Sequence, residues 1–277
     1  MTPASATVHQ LASPEPGAAR QPEVLRSDRQ GVTTITLNRP DARNALSWSL
    51  MQTLLHTLAS IKSDPDIRAV IIAGNGAAFC AGHDLKELLE KKSHVNHKAT
   101  FELCSTVMQA IVTLPQPVIA RVHGVATAAG CQLVASCDLA VAATVARFAT
   151  PGVKLGFFCS TPMVALSRNV SRKAAMEMLL LGDLIDAEKA REFGLVSHVV
   201  APERLEAVTD EIADKIAKKS PRVVANGKEA FYRQLEMSLA DAYAYTSEVM
   251  AQNIVKSDAV EGIGAFLEKR DPSWRDE

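Results

Sequence analysis

Two short segments of the chain could bind an anion through backbone N–H groups. The run FCAGHDLK at 79–86 places Gly82 and His83 directly before a predicted helix, and Ala129 and Gly130 open a second one. The first N–H groups of a helix lack partners inside the helix and lie at the positive end of its dipole. Two such donors could hold one developing oxyanion, each contributing about 3–4 kcal/mol in catalysis. The alternative is that both are simple helix starts.

A metal site is the second chemistry to weigh. His94 and His97 have HxxH spacing, which one helical turn could bring to a single metal ion. The surrounding segment is polar and offers no evident third ligand. We therefore interpret it as a solvated, mobile loop over 92–98, and predict neither a metal nor a cofactor.

Nucleophilic thiols are the third possibility. Cys131 and Cys159 could attack a thioester with His83 or His123 as the base, which would make the protein a thioesterase. The chain has five cysteines, an odd number, and no CxxC pair. This usage is typical of reduced, buried thiols and favours a structural role and a cytoplasmic location.

Composition excludes several classes of function. The chain has 277 residues, 47% of them apolar, and its 30 basic and 31 acidic residues give a net charge of −1. This balance argues against nucleic acid or a membrane surface as a partner. There is no apolar run long enough to span a membrane. The P-loop, GxGxxG, GxSxG and HExxH motifs are absent, so the usual support for the corresponding nucleotide-binding, hydrolase and zinc-protease classes is missing.

The elements that must position these residues alternate between strand and helix in the first half of the chain. Apolar or alternating runs predict strands at 32–37, 69–73, 118–122 and 139–143, with helices at 47–61, 84–91, 99–114 and 131–137 between them. Such alternation predicts a mostly parallel sheet with right-handed crossovers. Beyond about residue 160 strands nearly cease, and helices are predicted at 171–181, 186–193, 203–219, 221–236, 238–255 and 259–268.

Three regions follow from this pattern. Residues 1–22 are rich in Ala, Pro, Ser and Thr and have no apolar core segment of a signal peptide, so we predict a disordered tail. Residues 23–200 form the predicted α/β core. Residues 201–277 form a helical region, which in such proteins often packs on neighbouring subunits.

Longer motifs resemble the crotonase, or enoyl-CoA hydratase/isomerase, superfamily from about Val32 to Trp274. They are LNRPDARNALS (37–47), FCAGHDLKEL (79–88), PVIARVHGVATAAGCQLVASCDLAVA (117–142), FATPGVKLGFF (148–158), AMEMLLLGDLIDAEKAREFGLVSHVV (175–200) and EGIGAFLEKRDPSW (261–274). A subgroup of mitochondrial enoyl-CoA hydratase domain-containing proteins is similar even in the run GCQLVASCD. The resemblance implies a crotonase-like α/β spiral of ββα units and a helical C-terminal region that forms trimers or dimers of trimers.

The resemblance also implies an acyl-CoA ligand and roles for particular residues. The thioester carbonyl is expected between the backbone N–H groups of His83 and Ala129. The remaining implied contacts to the CoA thioester are Arg43, Asn44 and Ala45 along the nucleotide, Asp84, Leu85 and Lys86 along the adenine and pantetheine path, and Gly130 in the turn.

The chain departs from the family's hydratases where they carry two glutamates. Gln132 stands at the first position and Gly152 at the second. Neither residue can transfer a proton usefully, and each lost acid–base group typically costs about 10²–10⁴-fold in rate. Efficient hydration by a two-glutamate mechanism is therefore not expected.

The sequence predicts an acyl-CoA thioester-binding protein whose oxyanion hole stabilises an enolate. Isomerisation or another lyase-like reaction remains open, with His83, Cys159, Lys154 or a water held by Gln132 as the proton carrier. Phe157 and Phe158 are either an acyl pocket or part of the core. The alternatives are a non-catalytic acyl-CoA-binding or regulatory protein and a CoA thioesterase using Cys131 or Cys159.

Overall fold

The computed structural model describes residues 21–90 and 92–275. Its strands are β1 (Val24–Arg29), β2 (Val32–Leu37), β3 (Ala69–Gly74), β4 (Ala78–Cys80), β5 (Val118–Val122), β6 (Val125–Thr127), β7 (Leu139–Ala143), β8 (Arg147–Ala149), β9 (Ile185–Asp186) and β10 (His198–Val200). Its helices are α1 (Trp48–Lys62), α2 (Leu85–Glu90), α3 (His94–Val112), α4 (Ala129–Ser136), α5 (Pro162–Asn169), α6 (Arg172–Leu181), α7 (Ala187–Phe193), α8 (Leu205–Ala217), α9 (Pro221–Gln234), α10 (Leu239–Ile254) and α11 (Ser257–Glu268). The predicted tail lies almost entirely outside the described residues.

Two sheets run side by side along the chain. A 6-stranded sheet has the order β1-β2-β3-β5-β7-β10, in which only the β1–β2 pair is antiparallel. A 4-stranded sheet has the order β4-β6-β8-β9, and there only β9 is antiparallel. Because the chain adds one strand to each sheet before the next helix, the ββα unit repeats as a spiral. The predicted α/β crotonase-like fold is confirmed.

The central strands are buried on both faces, as their continuous apolar sequences predict. In β3, Val70 and Ile72 pack into the core beneath α1, while Ala69 and Ile71 pack into a second core beneath α8. The apolar stripe on α8, which repeats at helical spacing, faces this second core; it consists of Leu205, Val208, Ile212 and Ile216.

Helix α9 is fastened to the α/β core by a buried ion pair. Lys228 Nζ lies 2.6 Å from Asp138 Oδ2 and donates to the carbonyls of Ile111 and Gln116 at 3.1 Å each. The hydroxyl of Tyr232 donates to the other oxygen of Asp138 at 2.8 Å. Burial lowers the pKa of Lys228, and the charge of Asp138 opposes that effect.

The structure differs from the predictions at the segment 92–98 and in elements that were not predicted, which include β1, β9, β10 and α5. The segment 92–98 is not a mobile loop, because α3 already begins at His94 and the hydroxyl of Ser93 accepts the N–H of Asn96 at 3.2 Å. The short strands β4, β6 and β8 were not predicted, since three residues carry no usable periodicity. No helix within residues 21–90 and 92–275 is long and apolar enough to cross a membrane.

Candidate functional site

The first predicted donor, the His83 amide, lies in a segment that runs parallel to residues 43–46. Ala81 N donates to Arg43 O at 3.0 Å, Leu46 N to Gly82 O at 2.7 Å, and Asp84 N to Leu46 O at 3.2 Å. The N–H of His83 lies between these bonds and has no acceptor among the described residues. It is therefore available to a ligand.

The second predicted donor, the Ala129 amide, opens α4 in an unusual way. Ala128, which precedes the helix, has φ +51° and ψ −117°, and its side chain provides no cap. Its own N–H donates to Ala149 O at 2.9 Å, which ties the turn to β8. As the first residue of the helix, Ala129 has no intrahelical acceptor for its N–H, and no other acceptor lies in the described part of the chain.

The two donor segments touch each other. A Cβ added to Gly82 would lie 3.2 Å from Ala129 N, and one added to Gly130 would lie 2.0 Å from Cys80 O. The hydroxyl of Thr127 donates to Ala81 O at 3.1 Å across the same contact. The segments that carry the two amides, far apart in sequence, thus lie in contact.

At the first acid position, Gln132 lies in the first turns of α4 and is only 4% exposed. Its side-chain oxygen faces the thiol of Cys104 at 4.0 Å. Gln132 is therefore a neutral polar group in an otherwise apolar wall.

At the second acid position, Gly152 is covered by its own loop. A Cβ there would lie 2.8 Å from the carbonyl oxygen of Phe157 and 2.9 Å from the sulfur of Cys159. The N–H of Gly152 donates to that sulfur at 3.2 Å. The loop as folded has no room for any side chain at residue 152, so this position is shaped for glycine and not merely emptied of acid.

The candidate proton carriers and nucleophiles are poorly suited to these roles. Burial lowers the pKa of His83 to about 4, so its ring is neutral at pH 7, and neither ring nitrogen has a partner among the described residues. Burial raises the pKa of Cys131 to about 12 and also raises that of Cys159, so both remain protonated thiols. Lys154 forms an ion pair with Asp183 at the surface.

A groove of about 510 Å³ lies next to the His83 ring. Phe101 packs edge-on against His83, with ring centroids 5.3 Å apart, and also lines the groove with His94, His97 and Thr161. His97 Nε2 lies 2.9 Å from Leu88 O. No group of three potential metal ligands occurs among the residues that the structure describes.

The residues predicted to bind CoA divide into two groups. The side chains of Arg43, Leu85 and Lys86 are exposed and accessible to a ligand. Asn44 is fully buried, and its amide accepts from Arg39 N and donates to Asn75 O and Ala78 O, so its side chain is committed to holding loops together.

Sequence reasoning missed Arg39. Its guanidinium donates to Ala45 O at 2.6 Å and to Asp84 Oδ2 at 3.0 Å. Burial raises the pKa of Asp84, but the hydrogen bond and charge of Arg39 and the N–H groups of Glu87 and Lys86 outweigh this, so the pKa lies below its usual value. Arg39 belongs to the motif LNRPDARNALS, and its place in that motif was the sequence feature that could have pointed to it.

Comparison with known proteins identifies relatives along nearly the whole chain. Residues 27–277 match the family described as Enoyl-CoA hydratase/isomerase. Enoyl-CoA hydratase domain-containing protein 3, mitochondrial, is 49% identical in Xenopus laevis (91% of this chain, 86% of the relative) and 47% identical in Homo sapiens (95% and 85%). The crystal structure of an enoyl-CoA hydratase from Mycobacterium smegmatis is 51% identical, with a TM-score of 0.90, over 92% of this chain and 99% of that chain.

These relatives correct one prediction. The cytoplasmic location inferred from cysteine usage is wrong, because relatives with 46% to 49% identity are named as mitochondrial proteins. Reduced, buried thiols do not distinguish the two compartments, since burial by itself protects a thiol from oxidation. All five cysteines are free and buried here.

Proposed function

This chain belongs to the enoyl-CoA hydratase/isomerase family, and from that premise we propose that it binds acyl-CoA thioesters with the carbonyl oxygen between the amides of His83 and Ala129. The observation that carries the proposal is the contact between the two segments that bear these free N–H groups. The exposed cations Arg43 and Lys86 flank the His83 segment, Arg43 on the segment that pairs with it and Lys86 in α2 directly after it, and they suit the phosphates of CoA.

The proposed chemistry passes through a thioester enolate. Two fixed N–H donors stabilise the negative charge that develops on the carbonyl oxygen when a proton passes from the α-carbon to a base, for which the neutral ring of His83 and a water held by Gln132 are the acceptors available. Hydration of an enoyl thioester also needs a group that activates water and one that delivers a proton. Because Gln132 and Gly152 provide neither, hydration is expected to be slow and enolate formation to be the step that the site supports.

Turnover of crotonyl-CoA by the wild-type protein and by Gln132→Glu tests this proposal. The wild type should bind the thioester and hydrate it slowly, and the new carboxylate should raise the rate by about tenfold or more, since a positioned general base contributes about 10²–10⁴-fold. Hydration by the wild type at the rate of a two-glutamate enzyme would contradict it. Gly152→Glu is not a useful partner variant, because its side chain cannot enter the loop as folded.

A non-catalytic acyl-CoA-binding protein is the second candidate. The closed loop over Gly152 favours it, because that loop leaves no space for the second acid. Calorimetry that shows tight thioester binding, together with no solvent deuterium entering the α-carbon, would support this candidate over the enolate chemistry. A thioesterase is less favoured, because the raised pKa values of Cys131 and Cys159 leave little thiolate.

Copies of this chain are the proposed protein partners, as a trimer or a dimer of trimers. The support is an apolar surface on the last two helices, where Leu239, Met250, Phe266 and Leu267 are each more than half exposed, Phe266 to 81%. Several large apolar side chains exposed on two successive helices suit a protein interface.

A further inference from the structure

The direction of the His83 N–H depends on how its segment is held. Both neighbours of His83 pair with Leu46, through Gly82 O at 2.7 Å and Asp84 N at 3.2 Å. The first bond uses the carbonyl of the same planar peptide that carries the His83 N–H, so the direction of that N–H depends on how residues 45–46 and 84 are held. A rotation of the 82–83 peptide would move the N–H away from a bound carbonyl.

The carboxylate of Asp84 is fully used by the protein. Its Oδ1 accepts the N–H groups of Lys86 at 3.1 Å and Glu87 at 3.4 Å, so it caps α2. Its Oδ2 accepts Arg39 Nη2 at 3.0 Å, and the side chain is only 13% exposed. Asp84 is thereby fixed in orientation and has no free oxygen directed to a substrate.

The guanidinium of Arg39 joins the two segments that flank the donor. Its Nη1 donates to Ala45 O on one segment at 2.6 Å, and its Nη2 reaches Asp84 on the other. The Arg39 side chain is 17% exposed, which limits screening of its charge by water. A planar guanidinium binds two acceptors in a fixed geometry that a lysine cannot reproduce.

We propose that Arg39 and Asp84 are positioning residues of the oxyanion site, whose ion pair holds the 82–84 backbone so that the His83 N–H faces the ligand. This inference rests on the proposed function, because the donor matters only if a thioester carbonyl binds there. A misplacement of about 1 Å at such a donor can cost about 10²-fold in rate.

The protein should fold without this ion pair. The loop that carries Arg39 is anchored separately by Asn44, whose side chain accepts from Arg39 N at 2.9 Å and donates to Asn75 O and Ala78 O at 2.8 Å each. The variants Arg39→Met and Asp84→Asn retain these bonds. Arg39→Met also removes the cation that pairs with Asp84 and with Glu23, whose Oε1 lies 3.4 Å from Arg39 Nε, so it should lower the free energy of unfolding. Asp84→Asn leaves Arg39 paired with Glu23 and should change the donor's direction with the smaller loss of stability.

The test measures carbonyl polarisation directly with 4-(dimethylamino)cinnamoyl-CoA, whose absorption band moves to longer wavelength when its carbonyl accepts strong hydrogen bonds. At saturating probe the wild-type protein should give a clear shift, and Arg39→Met and Asp84→Asn should each lose more than half of it. Arg39→Lys should give an intermediate shift. The control is Arg26→Met, which removes another part-buried arginine that bridges Asp28 and Asp64.

Each outcome decides the proposal. If Arg39→Met and Asp84→Asn keep the wild-type shift, or if Arg26→Met loses as much of it as they do, the positioning role is overturned and the proposed function stands. Absence of probe binding by the wild type, or binding without a shift, overturns the proposed function and the positioning role together. If Arg39→Met does not fold, Asp84→Asn and Arg39→Lys decide the result. A crystal structure of Asp84→Asn should show the 82–83 peptide rotated, and an unchanged peptide contradicts the proposal.

Discussion

The conformation of Ala128 is the least favourable backbone geometry at the site. Its φ of +51° with ψ of −117° lies where residues with a Cβ are strained, yet the residue is alanine. The geometry turns the chain from β6 into α4 within a single residue, which leaves the Ala129 N–H buried beside Gly82 without an acceptor among the described residues. Strain of this kind persists because the surrounding bonds, such as Ala128 N to Ala149 O, determine the turn.

Ala128→Gly should therefore stabilise the protein. Relief of strain exceeds the entropy that glycine adds to the unfolded chain, so the free energy of unfolding should rise by about 1 kcal/mol, which is about 2–4 °C in Tm for a protein of this size. Differential scanning calorimetry measures the change. Ala126→Gly is the matched control, since Ala126 is a buried residue of β6 without positive φ, and it should lower Tm.

His83 should make the protein sensitive to mild acid. Its pKa is about 4 in the folded protein and 6.5 in the unfolded chain, so as the pH falls below 6.5 the unfolded chain takes up a proton first. Stability is full above pH 6.5 and falls by up to about 3 kcal/mol as the pH drops to 4. Urea unfolding measured at several pH values across this range should show that the free energy of unfolding of His83→Phe depends less steeply on pH than that of the wild type. His56→Gln, which changes an exposed histidine on α1, is the control and should keep the wild-type dependence of the free energy of unfolding on pH.

Sequence alone predicted the two amides proposed as donors, but not the residues that hold or crowd their segments. The amides of His83 and Ala129 follow from small residues next to helix starts, a local signal. The pairing of Arg39 with Asp84 joins residues 45 positions apart, and such a pair becomes visible only when the fold is known. The crowding of Gly152 by Phe157 likewise depends on how the loop turns back, which composition does not encode.

At the level of elements, strands with an apolar or alternating pattern were predictable, whereas the three-residue strands and the largely exposed β1 were not. β2, β3, β5 and β7 have five or six residues each with apolar or alternating patterns. The three-residue strands of the second sheet form where tertiary contacts impose pairing, and this overrides weak local preference. The helices of the C-terminal region were predicted because their apolar residues repeat at helical spacing.

The packing of helix α9 on the core should contribute more to the free energy of unfolding through Lys228 than through a surface ion pair. In Lys228→Met the carboxylate of Asp138 stays buried without its cation, and loss of one partner of a buried pair costs about 3–5 kcal/mol. Urea unfolding should show this loss. Arg168→Met is the control, because the pair of Arg168 with Glu236 is 56% and 68% exposed and should be worth less than about 1 kcal/mol. A loss for Lys228→Met as small as the control's would contradict the argument.

At the level of the whole molecule, the apolar surface of α10 and α11 predicts self-association. Sedimentation velocity should give a mass of three or six chains at micromolar concentration. Phe266→Asp places a charge in the centre of this surface and should release smaller species, because an unpaired charge is costly to bury. Val145→Asp changes another exposed apolar side chain, in the turn after β7, and should leave the mass unchanged. A monomeric wild type would contradict the prediction.

The loop over Gly152 also bears on the history of the site. The carbonyl of Phe157 and the sulfur of Cys159 occupy the space that a side chain at residue 152 would need. A single substitution is not expected to place a glutamate at residue 152, because the loop would have to rearrange first. The loop therefore restricts which substitutions can change the chemistry of the site. New activities are expected to arise through substitutions at Gln132 and in the groove beside Phe101.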